Sequence, residues 1–244
     1  MKPLSGNFRT SYKDKHFIIA IDGPAASGKS TAAYLLAKKM GFIYLDTGAM
    51  YRAITWMALN ENTDLENEKS LSNLAKKINI KIYPLEDHPG VKVYVDEKDI
   101  SSLIRSPLVN KWVSVVSKIS GVRKAMVEMQ RKIARERSVV AEGRDIGTVV
   151  FPNADVKIFL VASLEERAKR RWKEFQEKGI SCSLEEVKKD LEARDKLDRE
   201  RNISPLRKAE DALVVDNTHL GIFETLDRIL NVVKDKIGIE KNDL

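Results

Sequence analysis

Residues 17–31 read FIIAIDGPAASGKST, and the fold is decided in this one stretch. Phe17–Ile21 is a short β-branched run, long enough for a buried strand and too short for a helix. From Gly23 to Ser30 the chain fits G-x-x-x-x-G-K-[ST] at every fixed position. From Lys29 to Met40 the apolar spacing predicts a helix, closed by Gly41 where a helix end favours left-handed backbone. Strand, glycine-bearing turn and helix form the first half of a parallel βαβ unit. The spacing has a chemical reason. A glycine-bearing loop curls backbone N–H groups around an oxyanion, and the helix behind it aims its N-terminal dipole at the same phosphate. The expected phosphate cradle is Gly23, Pro24, Ala25, Ala26, Ser27, Gly28, Lys29, Ser30 and Thr31. Lys29 is expected to reach the β- and γ-phosphates of ATP, and the Ser30 hydroxyl to sit on Mg²⁺.

Outward from this unit, Phe42–Leu45 predicts a second short strand, followed by helices over 49–60 and 66–78. Between Ile78 and Asp99 the pattern changes. Ile80 and Ile82, then Val91, Val93 and Val95, alternate with polar residues around the turn signal Pro89-Gly90. Period two with one face exposed is antiparallel hairpin chemistry. An antiparallel hairpin within a parallel α/β pattern predicts an inserted subdomain over 64–105. Helices are expected across 107–137, with buried strands at Val139–Ala141 and Val156–Val161. Ser163-Leu-Glu-Glu166 and Ser183-Leu-Glu-Glu186 both read as capping boxes. They predict helices near 164–178 and 184–200, joined at Gly179 into a hinged pair with few core contacts. Ala212–Val215 and 221–237 supply a last strand and a closing helix. Residues 1–16 carry no apolar period and read as a flexible arm.

Composition narrows the function classes. With 43% hydrophobic and 32% charged residues, collagen-like and disordered readings fail. No apolar run reaches the roughly 20 residues of a membrane span, and the polar start has no secretory apolar core. The lone Cys182 builds neither a disulfide framework nor a cysteine-rich zinc site. A cytoplasmic, nucleotide-handling protein is expected, probing neither membrane nor nucleic acid. The net charge is +7. Its surplus is regional: 101–145 carries ten Lys/Arg against four acids, whereas 165–201 holds twelve against eleven. A basic helix face is either solvated surface or a polyanion site, and only a neighbouring phosphate site favours the second.

A phosphate loop alone does not name a reaction. GTPases carry an N/T-K-x-D base-reading sequence, and none is present. Glu142 stands where a Mg²⁺-supporting carboxylate would stand, and equally where any strand could end in a polar residue. Asp46-Thr-Gly-Ala-Met-Tyr51-Arg52 puts an arginine in the first turns of a helix after a strand, and Glu142-Gly-Arg144-Asp145 repeats the arrangement. In open α/β sheets ligands sit at those strand ends. Arg194, Asp198 and Arg201 share one helix face by their spacing. Arginines suit a transferred phosphoryl group because their planar fork binds phosphate oxygens in pairs. Each of these singly also reads as a surface ion-pair residue.

Taken in order, IDGPAASGKST, LDTGAMYRA, GVRKAM, EGRDIGTVVFP, VKIFL, EERAKRR and ARDKLDRERNISPL closely resemble the bacterial cytidylate kinase family, over about Phe17 to Val233. The resemblance implies an α/β fold of the P-loop type. A parallel five-stranded sheet would be flanked by helices, with an inserted monophosphate-binding subdomain (64–105), a short helical lid (164–201) and a core formed by 17–63, 106–163 and 202–244. It implies transfer of a phosphoryl group from ATP to CMP, with dCMP a second acceptor, by a monomer using Mg²⁺. By the same resemblance Arg52, Arg144 and Arg201 would meet the acceptor phosphate, and Thr47, Ser114, Arg123 and Asp145 the cytosine ring. Arg194 and Asp198 would meet the sugar. Tyr51 belongs to the same substrate group, and Lys29, Arg144 and Arg201 would act on the migrating phosphoryl. Thr47 replaces the serine of some members and keeps the hydroxyl. Two rivals remain: a kinase of another monophosphate such as UMP, and a P-loop ATPase binding nucleic acid through 101–145.

Overall fold

The computed structural model describes residues 16–238, so the expected arm over 1–16 lies outside the described residues apart from His16. The chain runs β1 (Ile18–Asp22), α1 (Lys29–Met40), β2 (Ile43–Asp46), α2 (Thr47–Asn60), α3 (Glu68–Lys77), β3 (Ile80–Pro84), β4 (Val91–Val95), β5 (Lys98–Asp99) and α4 (Pro107–Val116). It continues through α5 (Ser120–Ile133), β6 (Val139–Gly143), β7 (Val156–Val161), α6 (Leu164–Glu177), α7 (Leu184–Glu200), β8 (Leu213–Asp216) and α8 (Ile222–Ile237). Short turns of 3-10 and π type lie at Leu103–Arg105 and Ile146–Val150.

Five parallel strands in the order β2-β6-β1-β7-β8 make the central sheet. β1 lies in the middle and is covered on both faces, which is why it reads as an unbroken apolar run: Ile19, Ala20 and Ile21 are all fully buried. In register, Asp22 faces Gly143 on one side and Phe159 on the other. The phosphate loop and the Glu142-Gly-Arg-Asp145 turn therefore leave the sheet side by side.

The hairpin is present as β3 and β4, antiparallel, with Ile80 opposite Val95 and Ile82 opposite Val93. A two-residue strand, β5, extends it through a tight turn at Asp96 and Glu97, with φ of 47° and 70°. The sequence concealed that turn because Asp96, which such backbone tolerates, is followed by Glu97 and not by the usual glycine. Leu71, Ala75, Val93, Val95, Ile100 and Ile104 join the same apolar cluster as the central strands, and α3 packs on α5. The Tyr34 hydroxyl on α1 donates to the Leu85 and Glu86 carbonyls at 2.9 and 3.0 Å, tying the hairpin turn to the helix behind the phosphate loop. Among the described residues, no helix is long and apolar enough to cross a membrane.

The helices expected across 107–137 are α4 and α5, parted at Ser117, whose carbonyl accepts from the Arg123 guanidinium at 3.2 Å. Two local expectations need correcting. At α6 the cap is half a box: Ser163 Oγ accepts from Glu166 N–H at 3.2 Å, but the Glu166 carboxylate pairs with Arg170 at 2.9 Å. Ser163 N–H donates instead to Thr218 Oγ1. Ser183 and Glu186 do close the full box on α7. Finally, the α6–α7 pair has more buried contact than its mixed charge predicts. Ala168, Val187 and Leu191 pack on Ala25 of the phosphate loop. Beside them Arg167 pairs with Asp195 at 2.8 Å, each side chain 5% exposed, and Arg167 also donates to the carbonyls of Ala25 and Ala162 at 3.1 Å.

A buried pair of this kind is costly to break from one side, because the abandoned charge has no solvent. Arg167→Met should destabilise the protein by about 3–5 kcal/mol in urea unfolding. Replacing both residues, as Arg167→Met with Asp195→Leu, should return most of that loss. A single variant within about 1 kcal/mol of the wild type would show that the pair carries no such burden.

Candidate active site

The phosphate loop is shaped by close approach. Gly23 has φ 154°, and a Cβ there would lie 2.1 Å from the Leu160 carbonyl oxygen. Gly28 has φ 87°, and Ala26 also adopts positive φ, 59°, a strained state for a residue with a side chain. Asn217 Nδ2 braces the loop from β8's end by donating to the Ser27 carbonyl at 3.0 Å. Lys29 folds back on its own loop, donating to the Pro24 carbonyl at 2.6 Å and to Ser27 Oγ at 3.3 Å. Burial, then the charge of Arg144, lowers its ammonium to about 7. Ser30 Oγ donates to Glu142 Oε1 at 2.6 Å. Burial, then the nearby Asp46 carboxylate, raises the Glu142 carboxyl.

A cleft of roughly 890 Å³ opens from this loop across the strand ends. Its wall is crowded with guanidinium groups, and most have acidic partners. Arg144 Nε donates to Asp198 Oδ2 at 2.8 Å. Arg123 donates through NH2 to Asp145 Oδ2, and Arg201 NH2 lies 3.5 Å from the other oxygen of that carboxylate. The Arg123 guanidinium also lies over the Tyr51 ring, 5.4 Å from its centre. Arg52 and Arg194 are less well neutralised. Arg52 NH1 donates to neutral acceptors, the Asn110 side chain and the Ile104 carbonyl. Burial, then the charges of Arg194 and Arg105, lowers Arg52 to about 9. Burial, then Arg144, lowers Arg194 to about 10, and its Nε has no hydrogen-bond partner among the described residues. Both stay charged at neutral pH, so the shifts mark a pocket that an anion would relieve.

The expected site residues converge here. Ala25, Ala26, Gly28, Lys29, Ser30 and Thr31 line the cleft, whereas Gly23, Pro24 and Ser27 stand behind its wall and shape the loop. Thr47, Tyr51, Arg52, Ser114, Arg123, Arg144, Asp145, Arg194, Asp198 and Arg201 all line it too. The Thr47 hydroxyl donates to the Glu142 carbonyl at 2.7 Å, and the Tyr51 hydroxyl is buried with no partner among the described residues. Several lining residues were missed: Tyr44, Asp46, Arg105, Arg170 and Arg171. Asp46 could have been found, because it caps α2 by accepting from Ala49 N–H at 2.9 Å, the pattern of a helix-opening aspartate after a strand. Arg170 gives no such signal; it reaches the Asn217 carbonyl at 2.7 Å across 47 residues.

The family described as cytidylate kinase matches residues 19–235. Over 218 residues the chain is 53% identical to a cytidylate kinase of Carboxydothermus hydrogenoformans, covering 89% of this chain and 97% of that protein. It is 50% identical to one of Bacillus subtilis over 223 residues, covering 91% and 99%. A gluconokinase structure from Sinorhizobium meliloti superposes with a TM-score of 0.48 at 13% identity, covering 92% of this chain and 97% of that one.

The Lys29 shift has a sign that titration can read. Burial lowers the Lys29 ammonium towards about 7, so above that pH it gives up its proton far more readily than an ordinary lysine. Polyphosphate beside it favours the ammonium, so binding must take up a proton above that pH. Calorimetry of a non-hydrolysable ATP analogue at pH 8.5, in two buffers of different ionisation enthalpy, should give net uptake approaching one proton, shrinking towards zero at pH 6. Zero uptake or net release at pH 8.5 would contradict this protonation state.

Proposed function

The chain belongs to the cytidylate kinase family, and from that membership we propose how its own residues carry the reaction. The enzyme transfers the γ-phosphoryl group of ATP to CMP, giving ADP and CDP. An acceptor phosphate oxygen bonds to the γ-phosphorus as the bond to the β,γ-bridging oxygen breaks, and ADP leaves with the electron pair. No side-chain base is required, since the acceptor's second pKa near ~6 leaves it largely dianionic at neutral pH. What the protein must supply is charge neutralisation, in-line alignment and a dry cleft.

The observation that carries the base assignment is the Arg123–Asp145 pair within the cleft. Cytosine presents an amino donor at N4 beside an acceptor at N3, and uracil reverses both. A carboxylate acceptor adjacent to a guanidinium donor matches cytosine's edge. The two groups hold each other, which supports a pair set side by side to meet the base. Uracil would set O4 against the Asp145 carboxylate and leave buried polar groups unmatched. That weighs against a UMP kinase, and the burial of Arg123 weighs against a role on an exposed nucleic-acid face. Thr47 and Ser114 are assigned to the same ring, with Tyr51 packed beneath Arg123.

Arg52, Arg144 and Arg201 are assigned to the acceptor phosphate, and Arg194 with Asp198 to the sugar; the weakly compensated charge of Arg52 supports an anion there. Lys29 and the loop 23–31 take the ATP phosphates. Ser30 and Glu142 would hold Mg²⁺, which would supply neutralising charge to the phosphates. The Ser30 hydroxyl and the Glu142 carboxylate, with Asp46 behind it, are hard oxygen donors that fit such an ion. Residues 64–105 are proposed as the acceptor-side subdomain, and 164–201 as a lid that excludes water on closure around the core of 17–63, 106–163 and 202–244. The working unit is proposed to be a single cytoplasmic chain that also accepts dCMP.

Asp145→Asn tests the base assignment, because an amide can offer its own donor to O4 of uracil. The variant should lose at least about tenfold in kcat/KM for CMP while losing far less for UMP. An unchanged CMP-to-UMP ratio would show that Asp145 does not read the base.

A further inference from the structure

Asp22 ends β1, one residue before the phosphate loop, and has no part in the assignments above. The residue is 4% exposed, and both carboxylate oxygens are committed to backbone. Oδ1 accepts from the Ile146 N–H and Oδ2 from the Gly147 N–H, each at 2.8 Å. Those amides directly follow Arg144 and Asp145, the residues assigned to the acceptor phosphate and the cytosine edge. We propose that Asp22 is a positioning residue for cytosine recognition, fixing through the Ile146 and Gly147 amides the turn that presents Arg144 and Asp145. The inference rests on the reading of Asp145 as the base acceptor.

The turn needs such a partner. Asp145 has φ −143° and ψ 27°, outside helical backbone, and the π turn begins immediately after it. The first N–H groups of any helical turn have no carbonyl behind them, and a carboxylate is a strong acceptor for two at once. The turn packs closely on both neighbours: a Cβ at Gly147 would lie in ordinary contact with Asp22 Oδ2, at 3.5 Å, and 3.1 Å from Lys157 Cδ. From the other side the turn is held by Thr47 Oγ1 on the Glu142 carbonyl, and by Arg123 and Arg201 on Asp145 itself.

Using an aspartate here is expensive. Burial, and to a smaller extent the neighbouring Asp145 charge, pushes the Asp22 carboxyl up to about 6 despite the two amide bonds. Asp22's hydrogen bonds do not go to the phosphate loop: the Lys29 ammonium donates to Pro24 and Ser27. Asp22 is therefore bonded to the acceptor side of the site while lying next in sequence to the donor side.

Asp22→Asn preserves the shape but sets an amide N–H against one of the two backbone N–H groups. Steady-state kinetics should show kcat/KM for CMP reduced by about tenfold or more, chiefly through KM, with the CMP-to-UMP ratio contracted at least about fivefold. The Kd of a non-hydrolysable ATP analogue should stay within about twofold, a split that a general loss of structure would not give. An unchanged CMP-to-UMP ratio, or an equal loss of ATP-analogue affinity, overturns the proposal. Asp145→Asn assayed in parallel separates the two failures. A ratio altered there but not in Asp22→Asn sinks the positioning role alone, and a ratio unaltered in both sinks the base reading with it. Should Asp22→Asn not fold, amide exchange of the wild type without nucleotide decides the matter. Ile146 and Gly147 amides as protected as those of β1 support the pin, and exchange at the rate of an exposed loop overturns it.

Discussion

Gathering positive charge in a buried cleft is the constraint on which the rest of this structure depends. Guanidinium groups stay ionised wherever they are placed, so each must find a carboxylate, a ring of backbone oxygens or a substrate anion. Here the protein supplies part of the answer itself. Asp198 holds Arg144, and Asp145 stands between Arg123 and Arg201. Arg52 and Arg194 have weaker compensation, burial and neighbouring guanidinium charge lowering both. The protein's own carboxylates thus assemble most of the site, and Arg52 and Arg194 are its least compensated cations.

The parallel sheet makes this assembly possible. Strands β1, β2 and β6 end at one edge, so a phosphate loop, a capped helix carrying Arg52 and a turn carrying Arg144 and Asp145 meet without long connections. Long-range polar contacts then fix their mutual geometry. Ser30 reaches Glu142, Thr47 reaches the Glu142 carbonyl, and Asp22 reaches the turn beyond it. The α6–α7 pair is anchored in the same way, through Arg167 on the Ala25 carbonyl and Asp195. Donor and acceptor sides are in consequence joined by bonds that belong to neither substrate.

How much of this the sequence disclosed follows from how local each feature is. The phosphate loop, the hairpin alternation and the full capping box at Ser183 are short-range patterns with one physical reading each, and the strands and helices they predict are present. The clustering of Arg52, Arg123, Arg144, Arg194 and Arg201 in one cleft followed from strand-end logic and ordered motifs. Asp22 escaped notice because its partners lie 124 and 125 residues downstream. Arg167 looked like one more charge on a mixed helix, since its partner Asp195 sits on the next helix. The half-made cap at Ser163 failed for a related reason: Glu166 had a competing cation one turn away in Arg170. Pattern reading finds what neighbours in sequence do together, and it is blind where a side chain has a choice of distant partners.

The central claim is that this cleft passes the γ-phosphoryl of ATP to a cytosine monophosphate by matching the base's edge. Coupled ADP release with CMP, dCMP, UMP, AMP and GMP as acceptors tests it most directly. The account predicts the highest kcat/KM with CMP, exceeding UMP by at least about tenfold, and very little ADP release without an acceptor. Equal efficiency with UMP or a purine monophosphate, or ADP release indifferent to the acceptor, would contradict it.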